Sequence, residues 1–160
     1  MADLFVHYTC AHVLGRPLPD PRRRLLFAIG NCLPDILFKG LLYLTASPTW
    51  YVEPTHSPVM LAVACFAIAF LFEPVLRRAA WGLLFAGSLC HLLVDLGKGY
   101  MGTGVIPWAY PFSMRRAELG WYLTDESPLA WPWCVAAIAA AEVAWRAWRR
   151  RAGKAGPTPT

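Results

Sequence analysis

The chain has 160 residues, 57% of them hydrophobic and 16% charged, and its mean hydropathy is +0.39. That is too apolar for a soluble domain of this length, so the composition predicts a membrane protein. The net charge of +5 gathers in "RPLPDPRRR", Arg77 with Arg78, and "RAWRRRAGK", which argues for loops facing anionic lipid and against a nucleic-acid surface.

The first apolar stretch, Leu4 to Leu14, is short for a crossing, because a spanning helix needs about 20 mainly apolar residues. It reads as a thin or tilted crossing or a re-entrant piece. The first basic residue is Arg16, so no charged region precedes an apolar stretch and no secretory leader is expected. Longer apolar stretches follow at 25–44, 58–76, 81–97 and 128–147. The predicted fold class is all-α, a polytopic transmembrane helical bundle of four to five membrane segments. A single domain covers 1–152, and 153–160 reads as a disordered tail. Pro34 predicts a broken helix within the second segment, since proline lacks a backbone donor and broken helices are tolerated where they line a cavity.

Orientation follows from the basic residues, which concentrate in cytoplasmic loops. With Arg22, Arg23 and Arg24 inside, alternation also places Arg16, Arg77, Arg78, Arg146, Arg149, Arg150, Arg151 and Lys154 inside, eleven of the fifteen basic residues. Lys98, Arg115 and Arg116 fall in outer loops, and Lys39 snorkels outward from the second segment. Trp50, Tyr51, Trp108, Tyr110, Trp121, Tyr122, Trp131 and Trp133 mark the outer boundary; Trp81, Trp145 and Trp148 mark the inner one. The expected location is a bacterial-type inner membrane, with the C-terminus cytoplasmic.

Polar groups within these stretches converge in depth. Asp35 in "NCLPDI" and His91 in "CHLLVD" each lie about ten residues, roughly 15 Å, past an inner boundary, and Asp95 lies one turn further out. Residues at i and i+4 share a helix face, so His91 and Asp95 point into one cavity. His56 in "EPTHSP" enters from an outer loop held by Pro54 and Pro58, and His7 enters at similar height if the first segment starts outside. Each piece has a plainer reading: "HxxxD" as a polar pair joining helices, "LPD" as a turn, "THS" as a loop. His12 is a possible extra ligand beside His7, with a structural role preferred, and Glu73 and Glu142 read as ion-pair partners of the inner basic clusters. Cys10, Cys32, Cys65, Cys90 and Cys134 stand singly with no CxxC pair, as small buried residues and not as a disulfide frame or zinc knuckle.

In order, His7, "LPDI" at 33–36, "THS" at 55–57, "HLLVD" at 91–95 and "GVIPWAYPF" at 104–112 form a series that resembles the YdjM-like family of inner-membrane metal-dependent hydrolases. The resemblance implies metal ligation by His7, Asp35, His56, His91 and Asp95. The family is distantly similar to zinc-dependent phospholipases C, which points to phosphoester substrates. Two departures bear on the metal count, leaving it at one or two ions. Leu37 stands where members often carry a second acidic residue, and "YVEP" stands where they often carry His-Arg-Gly, with Glu53 a possible substitute ligand.

The expected function is therefore a membrane-embedded hydrolase acting on a lipid or lipid-linked ester at the outer leaflet. Its cofactor is a divalent metal, with histidine and carboxylate donors suiting Zn2+, and also Mn2+ or Fe2+. Asp35 and Asp95 are the candidate catalytic carboxylates; Arg115, Arg116 and Lys98 are candidate head-group contacts. The alternatives are a non-catalytic metal-binding bundle or ion transporter, and a module docking through its basic C-terminal tail.

Overall fold

The computed structural model describes residues 3–45, 53–99, 106–123, 126 and 129–154. Five α-helices form the body: α1 (Asp3–Gly15), α2 (Pro21–Thr45), α3 (Pro58–Ala69), α4 (Pro74–Leu96) and α5 (Trp131–Lys154). A 3-10 turn covers Glu53–His56, and two short strands, β1 (Lys98–Gly99) and β2 (Tyr122–Leu123), pair in parallel. The expected all-α class is thus the observed one.

The sequence marks the helix starts locally. Pro21, Pro58 and Pro74 each open a helix, where a fixed φ suits the first turn and the missing N–H had no partner to lose. Ser57 caps α3, its Oγ accepting from the Met60 N–H at 3.1 Å. Asp20 does the same for α2, its side chain accepting from the Arg22 N–H at 2.9 Å.

The boundaries between α3 and α4 differ from those expected. The chain breaks at 70–73 and not at Arg77 and Arg78, so α3 has only 12 residues, about 18 Å of helix against a ~30 Å hydrocarbon core. Glu73 is the cause: it precedes proline and sits at ψ 146, outside the helical region. Arg77 falls inside α4 and its Nε donates to the Phe72 carbonyl at 3.1 Å, closing the turn after α3. Glu73 is the N-cap residue of α4, without a side-chain capping bond.

Among the described residues α4 alone combines the length and apolar composition of a membrane crossing. Helices α2 and α5 are long enough, at 25 and 24 residues, but carry charges along their length. The helix α5 runs through Gly153 and Lys154, later than the predicted start of the tail, and 155–160 lie outside the described residues.

Successive helices alternate in direction. Gly15 of α1 lies against Phe27 of α2, while His7 stacks on His91 of α4 with ring centroids 3.8 Å apart. Leu61 and Cys65 of α3 lie near Leu92 and Ser88 of α4, an antiparallel pairing. Helices α2 and α4 run parallel, and so do α1 and α5, where Phe5 meets Trp131 and Arg16 bonds Glu142.

The contact between α2 and α4 is the centre of the fold. A Cβ on Gly30 would fall inside contact distance of the Leu84 carbonyl, and one on Gly87 inside that of the Phe27 carbonyl. Only glycine lets the two backbones approach this closely. Leu33, Cys65 and Leu84 form one buried apolar cluster near the crossing; Leu61, Leu92 and Ile106 form a second beyond it.

The helix break predicted at Pro34 does not occur, because α2 runs through it. Proline withholds the bond that would have closed on the Gly30 carbonyl. Ser88 Oγ donates to that carbonyl from α4 at 2.9 Å, so the lost bond is replaced by one between helices.

The helices also carry exposed apolar faces. Leu25, Ile29, Ile36, Val63, Phe66, Phe70, Leu93, Val135 and Val143 are all exposed, while His7, Asn31, His56, His91, Asp95 and Lys98 are buried. This distribution, polar within and apolar without, suits a chain whose surface meets lipid.

Candidate metal centre

The buried polar residues meet at one end of the bundle. Histidine 7 comes from the first turns of α1, Asp35 from the middle of α2, His56 from the 3-10 turn, and His91 and Asp95 from the last turns of α4. Four separate elements therefore deliver the five side chains singled out in the sequence. His7, His91 and Asp95 bring one donor atom each within 4.8 Å of one another, and so do Asp35, His56 and His91.

Asp95 lies between the histidines. Its Oδ1 is 3.1 Å from His7 Nε2; its Oδ2 is 3.1 Å from His91 Nε2 and 3.8 Å from His56 Nε2. The i, i+4 spacing on α4 holds His91 and Asp95 on one face. Asp35 stands at the margin, half-buried, its Oδ2 accepting from Lys39 Nζ at 2.9 Å. Lys39 is thus tied to this carboxylate, beyond the outward snorkelling its position suggested.

His91 is fixed from behind. Its Nδ1 lies 2.7 Å from the backbone carbonyl of Asn31, an acceptor only, so Nδ1 carries the proton and Nε2 presents its lone pair to the cluster. That Nε2 is buried and makes no hydrogen bond among the described residues. An imidazole oriented by a carbonyl and aiming a bare nitrogen at carboxylates is the arrangement found behind metal ligands. Asn31 was not singled out from the sequence, although it precedes Asp35 by four residues and so shares its helix face.

His56 lies outside the long helices, with Nδ1 3.4 Å from Thr55 Oγ1 and its ring edge-on to Phe38 at 5.3 Å. Burial pushes its imidazole down to about 4, against the opposing pull of Asp95. The ring is therefore neutral at pH 7, as a metal ligand must be.

Lys98 lies inside the cluster and not on an exposed outer loop. Its side chain is 1% exposed, with Nζ 3.1 Å from His7 Nε2 and in direct contact with Asp95 Oδ1. The backbone places it there. The segment after Ala117 lies along the end of α4, where Leu119 N–H bonds the Leu96 carbonyl at 2.7 Å and Trp121 N–H bonds the Gly97 carbonyl at 2.8 Å. Those bonds satisfy carbonyls the helix end leaves open, and they turn Lys98, paired with Tyr122, into the cluster.

The other candidates lie elsewhere. Arg115 and Arg116 stand exposed on the loop after Pro107 and are not part of the buried cluster. His12 is at the opposite end of α1, its Nε2 3.0 Å from Glu142 Oε1, and Arg16 Nη2 donates to Glu142 Oε2 at 2.7 Å. Both are structural links to α5, as Glu142's place near the inner basic cluster indicated. The side chain of Glu53, the residues Trp50 and Tyr51, and the start of "GVIPWAYPF" lie outside the described residues.

The donor set of three imidazoles and two carboxylates, with one imidazole nitrogen bare, fits Zn2+, Mn2+ or Fe2+. Sites rich in oxygen alone would have favoured Mg2+ or Ca2+. No curated protein and no solved structure matches the chain. A buried polar cluster inside a bundle with apolar helix faces agrees with a family model that matches the chain over residues 4–156, described as "YdjM inner membrane protein". The chain belongs to that family of inner membrane proteins.

Proposed function

We propose that the protein is a membrane-embedded, metal-dependent hydrolase that cleaves a phosphoester or related ester bond in a lipid or lipid-linked substrate at the outer leaflet. The observation that carries this reading is the buried meeting of His7, Asp35, His56, His91 and Asp95 around the bare Nε2 of His91. Ionisable groups at membrane depth are costly and face functional cavities more often than not.

The alternation of helix direction and the exposed apolar helix faces support a multi-pass arrangement in which α2 and α5 cross beside α4. In it the cluster faces outward. The end bearing Arg16 and Glu142 faces the cytoplasm with the basic end of α5, as the positive-inside rule requires. The shorter α1 and α3 would then cross only part of the bilayer.

His56, His91 and Asp35 would hold the metal, with Asp95 Oδ2 facing them. Bound there, a divalent ion supplies Lewis-acid polarisation of the ester and an acidified water. Asp95 has both oxygens engaged and organises the histidines. Asp35 is the less buried carboxylate and keeps one oxygen free of the Lys39 bond, the oxygen it would give to the metal.

An apolar cleft of about 680 Å3 runs beside the cluster, lined by Val6, Cys10, Cys90, Leu93, Val94 and Gly97. Val6 and Gly97 are chain neighbours of His7 and Lys98. The volume falls within the range of ligand pockets, and an acyl chain in the cleft would bring its ester towards the donors.

The test is elemental analysis of detergent-purified wild type beside a folded His91→Ala, Asp95→Ala double variant, followed by phospholipid hydrolysis assays. Near-stoichiometric metal that vanishes in the variant, with metal-dependent release of a head group, is the expected result. A wild type that stays metal-free after resupply removes the chemistry from this reading.

A further inference from the structure

Resting on the metal reading above, we propose that Lys98 fills one of two cation positions in the cluster, so that the site takes a single divalent ion with the Lys98 ammonium as its built-in second cation. The two donor groups are not equivalent. Lys98 Nζ contacts both His7 Nε2 and Asp95 Oδ1, from residues that belong to one of them. The other group, Asp35, His56 and His91, faces Asp95 Oδ2, and the lysine that reaches it, Lys39, bonds Asp35 Oδ2 from an exposed margin and not from within the pocket.

Histidine 91 appears in both groups but has one nitrogen to give, since Nδ1 is committed to the Asn31 carbonyl. Two ions would have to share Nε2. Charge points the same way. Among the described residues Asp35 and Asp95 contribute two negative charges; one divalent ion and the buried Lys98 ammonium leave a single net positive charge in the pocket, which an anionic phosphoryl oxygen would balance, while the Lys39 charge on Asp35 is half exposed and screened by solvent. Two divalent ions beside the ammonium would leave three, in a pocket where Asp95 is 4% exposed and unbalanced charge is poorly solvated.

Lys98 is also held for this role and does not merely drift into it. Its backbone pairs with Tyr122 in register, flanked by the bonds from Leu119 and Trp121 to the end of α4. Its stem is buried along with its ammonium, which commits the side chain to the cluster.

The experiment uses the full chain in detergent. It measures Mn2+ and Zn2+ per chain, Mn2+ affinity and the Mn2+ electron paramagnetic resonance spectrum for wild type, Lys98→Asp and Lys98→Met. The expected wild type holds one ion with an uncoupled six-line spectrum. Lys98→Asp, which replaces the ammonium by a third donor beside His7 and Asp95, is expected to hold two. Lys98→Met, of similar length and no charge, is expected to bind the first ion about tenfold tighter, because a repelling cation has gone. A wild type with two ions or an exchange-coupled spectrum overturns the proposal while leaving the hydrolase reading intact. So does a pair of variants with unaltered stoichiometry and affinity, which would make Lys98 a plain ion-pair partner. A wild type with no metal is the separate failure of the metal reading itself, and the proposal falls with it. If the Asp variant does not fold, the wild-type spectrum and the Met affinity decide.

Discussion

Replacing Gly87 by alanine adds one methyl group, yet it sets packing against helix propensity in a way the structure resolves. Alanine is the better helix former by about 1 kcal/mol. Against this, the new Cβ would overlap the Phe27 carbonyl, and Asn31 N and Gly30 C close the same space, all of it rigid backbone. Forcing α2 and α4 apart costs about 1–3 kcal/mol as overpacking. It also stretches the bonds from Ser88 to Gly30 and from His91 to Asn31, at about 0.5–1.5 kcal/mol each. The net expectation is a loss of about 1 to 5 kcal/mol. Because the His91–Asn31 bond orients the nitrogen proposed to hold a metal, metal affinity should fall about 10- to 100-fold as well. Gly82 is the control, in the same helix with nothing within 4 Å of its added Cβ, so Gly82→Ala should be neutral or slightly stabilising. The assay is thermal unfolding in detergent with a parallel Zn2+ titration. Equal Tm and equal affinity for Gly87→Ala and wild type would refute the claim that this crossing fixes the site.

Two further outcomes follow from named groups. Ser88→Ala should cost about 1–3 kcal/mol by leaving the buried Gly30 carbonyl unpaired, and Pro34→Ala should reduce that cost by restoring an N–H within α2; an additive double-mutant cycle would show the two are not linked. In metal-free protein, unfolded His56 takes up a proton below its ordinary 6.5 but folded His56 only below about 4. Stability should therefore fall as pH drops from 6.5 towards 4, by about 3 kcal/mol from this group. His56→Gln should flatten that part of the Tm–pH profile, and parallel profiles for the two proteins would refute the assignment.

Four of the five residues that meet in the cluster announce themselves locally, His91 and Asp95 by helical spacing, His56 by its flanking prolines and Asp35 by "LPD", whereas His7 has no local signal and enters only through the direction of its helix. What the sequence concealed depends on residues far apart in the chain. Pro34 looked like a break because its missing donor is visible in sequence, whereas its replacement comes from Ser88, on another helix. Lys98 looked like a loop cation because the segment 117–123 that turns it inward begins some twenty residues later. Arg77 and Arg78 suggested an inner loop, and positive charge outweighed the quieter signal of Glu73–Pro74 just before them. The count of membrane crossings rested on apolar length. Helices of 12 and 13 residues show how far apolar composition and helix length part company in this chain.

The bond between His91 Nδ1 and the Asn31 carbonyl also bears on traffic through the molecule. A histidine passes protons onward when one ring nitrogen accepts while the other releases to a further acceptor that can itself hand the proton on. Here the rear nitrogen faces a peptide oxygen, which has no proton to exchange and no second partner to relay one. On its Nδ1 side, then, the His91 ring ends at a peptide oxygen and hands no proton onward.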